Sequence, residues 1–361
     1  MARKGSGGAR PGRPRQAEVA RLAGVSQTTV SLVLGGNKQG IVLQEATRRR
    51  VLDAARELGY VPDPAARSLA TSSNNLLGVF SFTATFPTAV EHSYYPFLVG
   101  VEQQAAEEGF DLVLFTGSSS GGAGADRPGS LDRVRLADGC LFLGRHVPAE
   151  DLRRLVDDGF PLVHIGRRDE LEGLVWVGAD YVAASAEVVR HLVGLGHRRI
   201  MLIREDDDAP ASTDRERGFL AALAAEGLGG DGDSVVRVPA APGAGGAITA
   251  DWLRARLAEG VTAFVAEETD PGTAWRALSA AVAEAGLAAP GDLSLALLGS
   301  PPSDLAGAPE PTGFDTPRAE LGAAAVRLLI ALLSGRAAGE RLVGCAFRPG
   351  LTSGPPPGTP H

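Results

Sequence analysis

The chain has 361 residues, 44% of them hydrophobic, so it is long enough to bury one or two sizeable cores. Its net charge of −8 hides an asymmetry, because residues 1–70 hold 12 of the 35 Lys and Arg but only 5 of the 43 Asp and Glu. Two cysteines without metal-ligand spacing exclude a disulfide framework, and the apolar runs are too short for a signal peptide or a membrane span. We therefore expect a cytoplasmic protein whose basic N-terminal end binds phosphate groups.

Residues 1–16 are rich in Arg, Gly and Pro, which predicts a disordered basic arm. The stretch that follows, AEVARLAGVSQTTVSLVL, predicts two short helices joined by a tight turn. Ala20 is small enough for a close helix crossing, Gly24 can take the positive φ of the turn, and Val30 can pack the second helix on the first. Ser26 stands where it can cap the second helix. This pattern alone fits either an ordinary two-helix corner or a DNA-binding motif.

A third helix is predicted over residues 45–58, because apolar residues recur there on one face: Ala46, Val51, Leu52, Ala55 and Leu58. This helix can close a small bundle over the first two. We place an all-α domain at residues 17–62 and a linker at residues 63–74. As a lone string, the linker sequence is as typical of an extended connection as of a short helix.

From about Leu76, short apolar runs alternate with helical stretches, and the alternation occurs in two successive sets. This pattern is typical of parallel sheets with crossover helices, so we predict an α/β core over residues 75–353 with two lobes and a cleft between them. We assign about 75–177 and 311–335 to the first lobe, and about 178–308 and 336–353 to the second. Residues 354–361 are predicted to be a disordered tail.

The N-terminal segments resemble the DNA-binding region of the LacI/GalR family of bacterial repressors. The matching pieces are Val19-Ala20, Ala23 to Ser26, Thr29 to Ser31, Thr47-Arg48, Leu58 to Tyr60, Pro62 and Ala66 to Leu69. The resemblance continues more loosely through the LGHRRI turn at His197 and the R..GF segment that begins at Arg215. It implies a helix-turn-helix head, a hinge and a two-lobed periplasmic-binding-protein-like core. It also implies a homodimeric, nucleoid-associated repressor on a pseudo-palindromic operator of double-stranded DNA, controlled by a small-molecule effector.

The resemblance also implies how DNA is contacted. Gln27 and Thr28 would reach base edges in the major groove, whereas Thr29 and Ser31 would hold phosphates. Leu69 would enter the minor groove and kink the duplex. Leu32 stands where relatives often carry Arg, so a donor to guanine is missing at that position. The predicted DNA-binding set is Ser26, Gln27, Thr28, Thr29, Ser31, Leu32, Tyr60 and Leu69.

The predicted effector-binding set, also implied by the resemblance, is Arg215, Asp270, Phe82 and Tyr95. Arg215 could instead be a surface residue at a helix start, and Asp270 could instead cap the following helix. Relatives that bind sugars commonly carry a carboxylate after the glycine at position 299, whereas this chain has Ser300-Pro301. A sugar is therefore one possible effector, with one common contact absent.

Two rival functions remain open at this stage. One is a DNA-binding regulator whose core serves only for dimerisation, and the other is a solute-binding transport protein with the same two-lobed core. We expect no enzyme, catalytic residue, cofactor or metal. The histidines lack metal spacing and a nucleophile partner in the sequence: His146, His164, His191 and His197.

Overall fold

The structure is a computed structural model that describes residues 14–34, 43–60, 73–82, 94–115, 131–229, 232–239, 245–301 and 309–358. The chain divides into two compact units between Asn74 and Asn75. Within the described ranges, no helix is both long and apolar enough to cross a bilayer. Most of the predicted N-terminal arm and most of the linker, with Leu69, lie outside the described residues.

The first unit contains the predicted three-helix head, made of α1 (Gln16–Ala23), α2 (Gln27–Leu34) and α3 (Glu45–Glu57). Val19, Val30 and Val51 are fully buried and form the centre of its core. The predicted apolar face of α3 is wrong at one position. Ala46 is exposed and Ala54 is buried instead, because only the C-terminal half of α3 packs on the first two helices.

The second unit alternates strands and helices. In chain order they are β1 (Leu76–Ser81), α4 (Tyr95–Glu107), β2 (Asp111–Phe115), β3 (Gly139–Leu143), α5 (Ala149–Asp157), β4 (Leu162–Ile165), β5 (Val175–Ala179), α6 (Tyr181–Gly194), β6 (Ile200–Glu205), α7 (Pro210–Ala225), β7 (Val235–Val238), α8 (Ala250–Ala258), β8 (Ala263–Glu267), α9 (Thr273–Ala285), β9 (Ser294–Leu298), β10 (Thr312–Asp315), α10 (Arg318–Leu333), β11 (Arg341–Val343) and β12 (Ala346–Arg348).

These strands form two six-stranded sheets, one in each lobe. The first sheet has the order β11-β5-β4-β3-β1-β2 and is parallel throughout. The second has the order β12-β10-β9-β8-β6-β7 and is parallel except between β10 and β12. The predicted α/β architecture with two lobes and parallel sheets is confirmed.

Apolar side chains alternate between the two faces of each sheet, so every sheet is covered on both sides. In β3, Leu141 faces the cluster that α4 and α10 cover, whereas Phe142 faces the cluster that includes residues of α5. In the second lobe, α6 and α7 cover one face and α8 and α9 cover the other. The strands are buried on both faces, which is why they read in the sequence as continuous apolar runs.

Helices α4 and α10 pack with their backbones in close contact. A Cβ atom added at Gly100 would lie 1.9 Å from the carbonyl oxygen of Ala319, and one added at Gly322 would lie 2.2 Å from that of Phe97. Any side chain at either glycine would therefore force the helices apart. This contact fixes the start of α10, which carries Arg318 towards the second lobe.

The predicted lobe boundaries are wrong near the C-terminus. Strand β10 lies in the second sheet, not the first, and β11 lies beside β5 in the first sheet, not the second. The chain therefore crosses between the lobes after β5, after β10 and after β11. These two strands have four and three residues, and such short runs carry no sequence signal for a distant pairing partner.

The predicted disorder of the tail is wrong at its first residue. Gly354 is buried, and its carbonyl oxygen lies 2.9 Å from His197 Nε2 and accepts a hydrogen bond of 3.0 Å from the Ser294 hydroxyl. The segment is thereby held against the second lobe. Its polar and proline-rich composition did not reveal these backbone contacts.

Candidate functional site

The start of α2 has the geometry expected of a recognition helix. Gly24 takes a φ of 65°, which turns the chain between the first two helices. The Ser26 hydroxyl accepts a hydrogen bond of 3.2 Å from the Thr29 amide and lies 2.9 Å from the Thr29 hydroxyl. Ser26 therefore caps α2, and the partial positive charge at this helix end suits a phosphate.

Of the predicted DNA-binding residues that the structure describes, six lie at the cap of α2 or along it, where Thr29 is half-buried, and Tyr60 follows α3. Gln27, Thr28 and Ser31 are exposed, and Ser26 is exposed beside its bond to Thr29. Leu32 and Tyr60 are half-buried, and the Tyr60 ring packs on the head core. The exposed basic residues of this unit include Arg21 and, along α3, Arg48, Arg49 and Arg50.

A cavity of about 510 Å³ lies between the two lobes of the second unit. Strand residues of the first sheet line it, together with residues of α7 and α10 and of the segments that follow β8 and β9. Arg215 and Asp270 line this cavity, as predicted, and so do Ser300 and Pro301. The cavity thus provides the predicted cleft, with polar groups that converge from both sides.

Neither of the two predicted aromatic contacts, Phe82 and Tyr95, is among the described residues that line the cavity. The Phe82 ring lies 5.0 Å from the ring of Phe80 and 5.9 Å from that of Phe142, so it packs in the first lobe instead of entering the cavity. Tyr95 is 49% exposed at the start of α4. Tyr94, one residue earlier, lines the cavity, and so does Phe97.

Arg215 is held rigidly although its side chain lies at the cavity wall. Its guanidinium carbon stands 3.8 Å from the centre of the Tyr181 ring, and its Nε donates to the Leu298 carbonyl at 2.9 Å. Nη1 donates to the Ala211 carbonyl at 3.3 Å. Arg215 is 3% exposed, so this fixed cation is almost fully removed from bulk water.

Glu268 stands between two arginines of opposite lobes. Its Oε1 accepts a hydrogen bond of 2.6 Å from Arg318 at the start of α10, and its Oε2 lies 3.4 Å from Arg215 Nη2. Burial, the largest single effect, lowers the pKa of Arg318, but the charge and hydrogen bond of Glu268 and the charges of Tyr181 and Asp270 together outweigh it, so the pKa is raised. We call Arg215, Glu268 and Arg318 the arginine–glutamate triad.

A second contact between the lobes joins Arg145, which follows β3, to Asp207, which follows β6. Arg145 donates to Asp207 Oδ2 at 2.7 and 3.1 Å and to the Ser212 hydroxyl at 3.0 Å. Burial would raise the pKa of Asp207, but the bonds from Arg145 and from the Ala209 amide outweigh it and lower the pKa. His146 Nε2 lies 3.0 Å from the other carboxylate oxygen of Asp207.

A third contact joins Arg167, which follows β4, to Asp214 on α7. The Arg167 Nη1 to Asp214 Oδ1 distance is 2.8 Å, and Arg167 also binds Asp169. The hydrogen bond to Asp169 and the charge of Asp214 outweigh partial burial and raise the pKa of Arg167. With Arg318, the first lobe therefore presents three arginines to three carboxylates of the second lobe.

Two buried carboxylates lie behind the cavity in the second lobe. Glu267 accepts hydrogen bonds from the Ser212 hydroxyl and, at 3.2 Å, from the Glu205 amide. Glu205 in turn accepts from the Thr269 hydroxyl and from the Thr273 amide. Burial raises the pKa of Glu267 against the opposing charges of nearby arginines. This network holds the strand ends that carry the cavity wall.

The buried histidines have structural contacts. His197 Nδ1 lies 2.8 Å from the Thr262 hydroxyl, and its Nε2 lies 2.9 Å from the Ser294 hydroxyl. His164 is fully buried in β4 and bonds through Nδ1 to the Gly166 carbonyl. Among the residues that the structure describes, no group of three His, Cys, Asp or Glu side chains is arranged to hold a metal ion.

Sequence reasoning missed most charged residues of the cleft. Glu268, Arg318 and Asp214 were not predicted, nor were Arg145 and Arg167. A usable signal was present, because a charged residue follows within two positions of the ends of β3, β4, β6 and β8. The carboxyl ends of parallel strands meet at one edge of a sheet, where ligands of open α/β folds bind.

Three family models match the chain in two regions. Residues 17–63 match the model of bacterial regulatory proteins of the lacI family. Residues 84–238 match the model of periplasmic binding proteins and the sugar-binding domain of the LacI family, and residues 189–349 match the periplasmic binding protein-like domain. The first match covers the helix-turn-helix, and the other two cover both lobes.

Relatives of similar sequence carry regulatory names. The HTH-type transcriptional regulator CelR of Thermobifida fusca is 34% identical over 219 residues, which is 60% of this chain and 63% of the relative. The HTH-type transcriptional regulator GntR of Pseudomonas aeruginosa is 28% identical over 330 residues, 90% of this chain and 91% of the relative. The first of these alignments, like several others, spans about three fifths of the relative's length.

Solved structures show the same fold. A transcriptional regulator CelR–cellobiose complex matches with a TM-score of 0.64 at 26% identity, over 94% of this chain and 100% of that chain. The lac repressor dimer bound to operator and the anti-inducer ONPF matches with a TM-score of 0.71 at 21% identity, over 93% of this chain and 98% of that chain. With a lacI-family helix-turn-helix followed by a periplasmic-binding-protein-like core, the chain belongs to the LacI family of regulatory proteins.

Proposed function

We propose that this protein is a sequence-specific transcriptional repressor whose operator affinity is controlled by a small metabolite bound between the lobes. The observation that carries the proposal is the cavity of about 510 Å³ on a chain that also has a helix-turn-helix, because charged side chains of both lobes meet in it. A ligand that contacts both lobes can shift the equilibrium between their relative positions. We place this activity in the cytoplasm, on chromosomal DNA.

The active form in this proposal is a homodimer on a pseudo-palindromic operator. A two-fold symmetric protein presents two recognition helices to two half-sites. A change in lobe position then alters the spacing of the two heads and with it the affinity for the operator. The lac repressor structure, whose fold this chain shares, is named as a dimer on its operator and supports this arrangement.

The proposal is tested with the purified full chain. DNA fragments are selected from a random library, and the enriched motif is measured by fluorescence anisotropy at fixed salt. We expect a motif with two inverted half-sites, and at least one compound of a metabolite panel should change operator affinity tenfold or more, roughly the usual scale of allosteric coupling. A chain that binds all DNA with equal affinity would contradict the proposal.

Base readout is assigned to Gln27 and Thr28, which are exposed at the start of α2. The Gln27→Ala variant should lose preference at one base pair per half-site, by about 1–3 kcal/mol, because Gln can form two hydrogen bonds to adenine. On an operator that is changed at that base pair, the variant and the parent protein should bind with similar affinity. A uniform loss on all sequences would instead assign Gln27 to phosphate binding.

Leu69 is assigned to the minor groove, which remains a proposal from the sequence because its segment lies outside the described residues. The Leu69→Ala variant should bind the operator at least tenfold more weakly, since the apolar wedge that holds the kinked duplex is lost. Ligand binding and dimerisation should be unchanged. Equal operator affinity of the variant and the parent protein at moderate salt would refute this assignment.

A second candidate function is a regulator whose core no longer senses a ligand. The arginine–carboxylate contacts between the lobes favour it, because they close the cleft through the protein's own side chains. A metabolite that both raises the melting temperature and changes operator affinity would eliminate this candidate. The remaining rival, a solute-binding transport protein, is disfavoured by the lacI-family match over residues 17–63.

A further inference from the structure

The arginine–glutamate triad has a composition that bears on the ligand class. Two guanidinium groups, Arg215 and Arg318, share one carboxylate, Glu268. The triad by itself carries one unit of positive charge, and the charges of Asp270 and Glu267 act on its two arginines. The described lining of the cavity as a whole remains rich in cations, with six arginines against three carboxylates. A buried excess cation is stabilised when an anion joins it.

The positions of the triad are fixed by close contacts. Arg215 is held by the Tyr181 ring and the Leu298 carbonyl. Glu268 lies against Gly299, where an added Cβ would be 2.0 Å from Glu268 Oε2. Gly299 also has a φ of 140°, which disfavours any other residue. The backbone thus makes room for the Glu268 carboxylate beside Arg215.

The contact between Glu268 and Arg215 is looser than the contact with Arg318. The distance is 3.4 Å to Arg215 Nη2 and 2.6 Å to Arg318 Nη2. Arg215 therefore has a long and weak bond on the side of Glu268, and a bound anion can compete for it at a small cost. The planar guanidinium suits the two oxygens of a carboxylate or a phosphate.

The other polar groups of the cavity suit a hydroxylated ligand. Ser300 supplies a hydroxyl group, and Asp270 supplies a carboxylate that can accept from ligand hydroxyls. Tyr94 and Phe97 add aromatic surface. These groups surround the triad on the walls formed by both lobes.

We propose that the effector is a small polyhydroxylated anion whose carboxylate or phosphate joins Arg215 and Arg318 beside Glu268. This inference rests on the proposed function, because it names the chemical class of the ligand in the same cleft. Glu268 then acts as a competing internal anion that occupies the two arginines when the ligand is absent. A neutral sugar leaves the excess charge of the triad uncompensated.

The test uses the full chain and matched compounds that differ only in the anionic group. Glucose, glucuronate and glucose 6-phosphate form one set, and the corresponding galactose, ribose and cellobiose series form others. The melting temperature is first measured with each compound, and compounds that raise it are then titrated by isothermal calorimetry. We expect at least one acid or phosphate to bind at least tenfold more tightly than its neutral parent. The carboxylate and phosphate members of each set separate the two sources of negative charge.

A variant of the internal anion sharpens the test. Glu268→Gln removes the competing carboxylate and leaves two cations, so the anion should bind about tenfold more tightly. Glu226→Gln, an exposed change at the end of α7, is the matched control and should leave affinity unchanged. Arg318→Met should weaken anion binding by at least tenfold, because one of the two cations that would hold the anion is lost.

Three outcomes would overturn the inference. The first is that a neutral parent binds as tightly as every acid and phosphate of its set. The second is that no acid or phosphate binds, and the third is that Glu268→Gln binds the anion more weakly than the parent protein. Operator binding is measured separately, so that the two proposals fail independently. A chain that binds its operator but responds to neutral sugars alone refutes only the ligand class, whereas a chain that binds the anion but no operator refutes only the regulatory function.

Discussion

The first and second lobes are built on one plan and differ where they face each other. Each sheet has six strands, and corresponding strands occupy the same places in the two orders, β11-β5-β4-β3-β1-β2 and β12-β10-β9-β8-β6-β7. At the cleft, the first lobe presents arginines and the second presents carboxylates to them. The shared topology fixes the scaffold, and the charged residues after the strands set how the lobes meet.

The contrast extends to the interior and to the helix ends. In the first lobe, the buried Nε2 of His164 has no hydrogen-bond partner among the described residues, whereas His197 of the second lobe has contacts at both ring nitrogens. Asp180 and Thr249 cap α6 and α8 of the second lobe through their side chains, whereas α7 and α9 of that lobe and α4, α5 and α10 of the first have no side-chain cap. We therefore expect pH to act mainly on the first lobe through His164, and deletion of a side-chain cap to act on the second.

The largest effect is expected from reversing a charge at the lobe contact. Asp214→Arg places a cation beside Arg167 and Arg217, and we expect a loss of about 3 kcal/mol in the free energy of unfolding, since Asp214 is mostly buried. Guanidinium chloride titration measures it. The double variant with Arg167→Asp should recover part of the loss, and Asp251→Arg, at an exposed position of α8, is the control. Absence of recovery would mean that the ion pair does not join the lobes.

A pH effect is expected next, from His164. Burial, and then the nearby charge of Arg168, lower its pKa to about 3, whereas the unfolded side chain titrates near about 6.5. Between these values the unfolded chain binds one proton more than the folded chain. The contribution of His164 to the free energy of unfolding is therefore fully present above about pH 6.5, and it falls by about 1.4 kcal/mol per pH unit below that value.

The comparison with His164→Leu isolates this contribution. Urea midpoints of both proteins are measured at pH 6.0 and 4.5, and the variant should lose about 2 kcal/mol less over that interval. All other titrating groups are shared by the two proteins. Parallel pH profiles would show that His164 is protonated in the folded state.

A smaller effect is expected when Arg145 is replaced. Arg145→Met keeps much of the side-chain length but removes the bonds to Asp207 and Ser212, at a cost of about 1–2 kcal/mol. Since Arg145 lowers the pKa of Asp207 in the folded protein, the stability from Asp207 is present above its unfolded pKa and disappears as the pH falls through its folded pKa. The variant should therefore lose part of its acid sensitivity. An unchanged acid limb of the denaturation profile would contradict this.

The smallest effect is expected from a helix cap. The Thr249 hydroxyl accepts a hydrogen bond of 3.1 Å from the Trp252 amide. Thr249→Ala should lower the free energy of unfolding by about 1 kcal/mol, whereas Thr249→Ser keeps the hydrogen-bond acceptor and should have little effect. Equal losses for both variants would show that packing of the methyl group matters more than the cap.

The head could be predicted closely because its structure follows local rules. A small residue at position 20, the turn at Gly24 and the cap at Ser26 act over a few residues, and the structure shows each of them. Arg215 and Asp270 were placed by resemblance. Tyr95 is half exposed at the start of α4, whereas Tyr94, one residue earlier, lines the cavity, so the sequence did not tell which of two adjacent tyrosines faces the cleft.

By itself, the sequence determined the three helices of the head, the alternation of strands and helices, the charge division between head and core, and the family to which the chain belongs. Only the tertiary structure decided that β10 joins the second sheet and β11 the first, that Gly354 is buried, and that Glu268 stands between Arg215 and Arg318. Helix periodicity, turns and caps are written within a few residues, whereas strand pairing and ion pairs join residues far apart in the chain and depend on how the sheets stack.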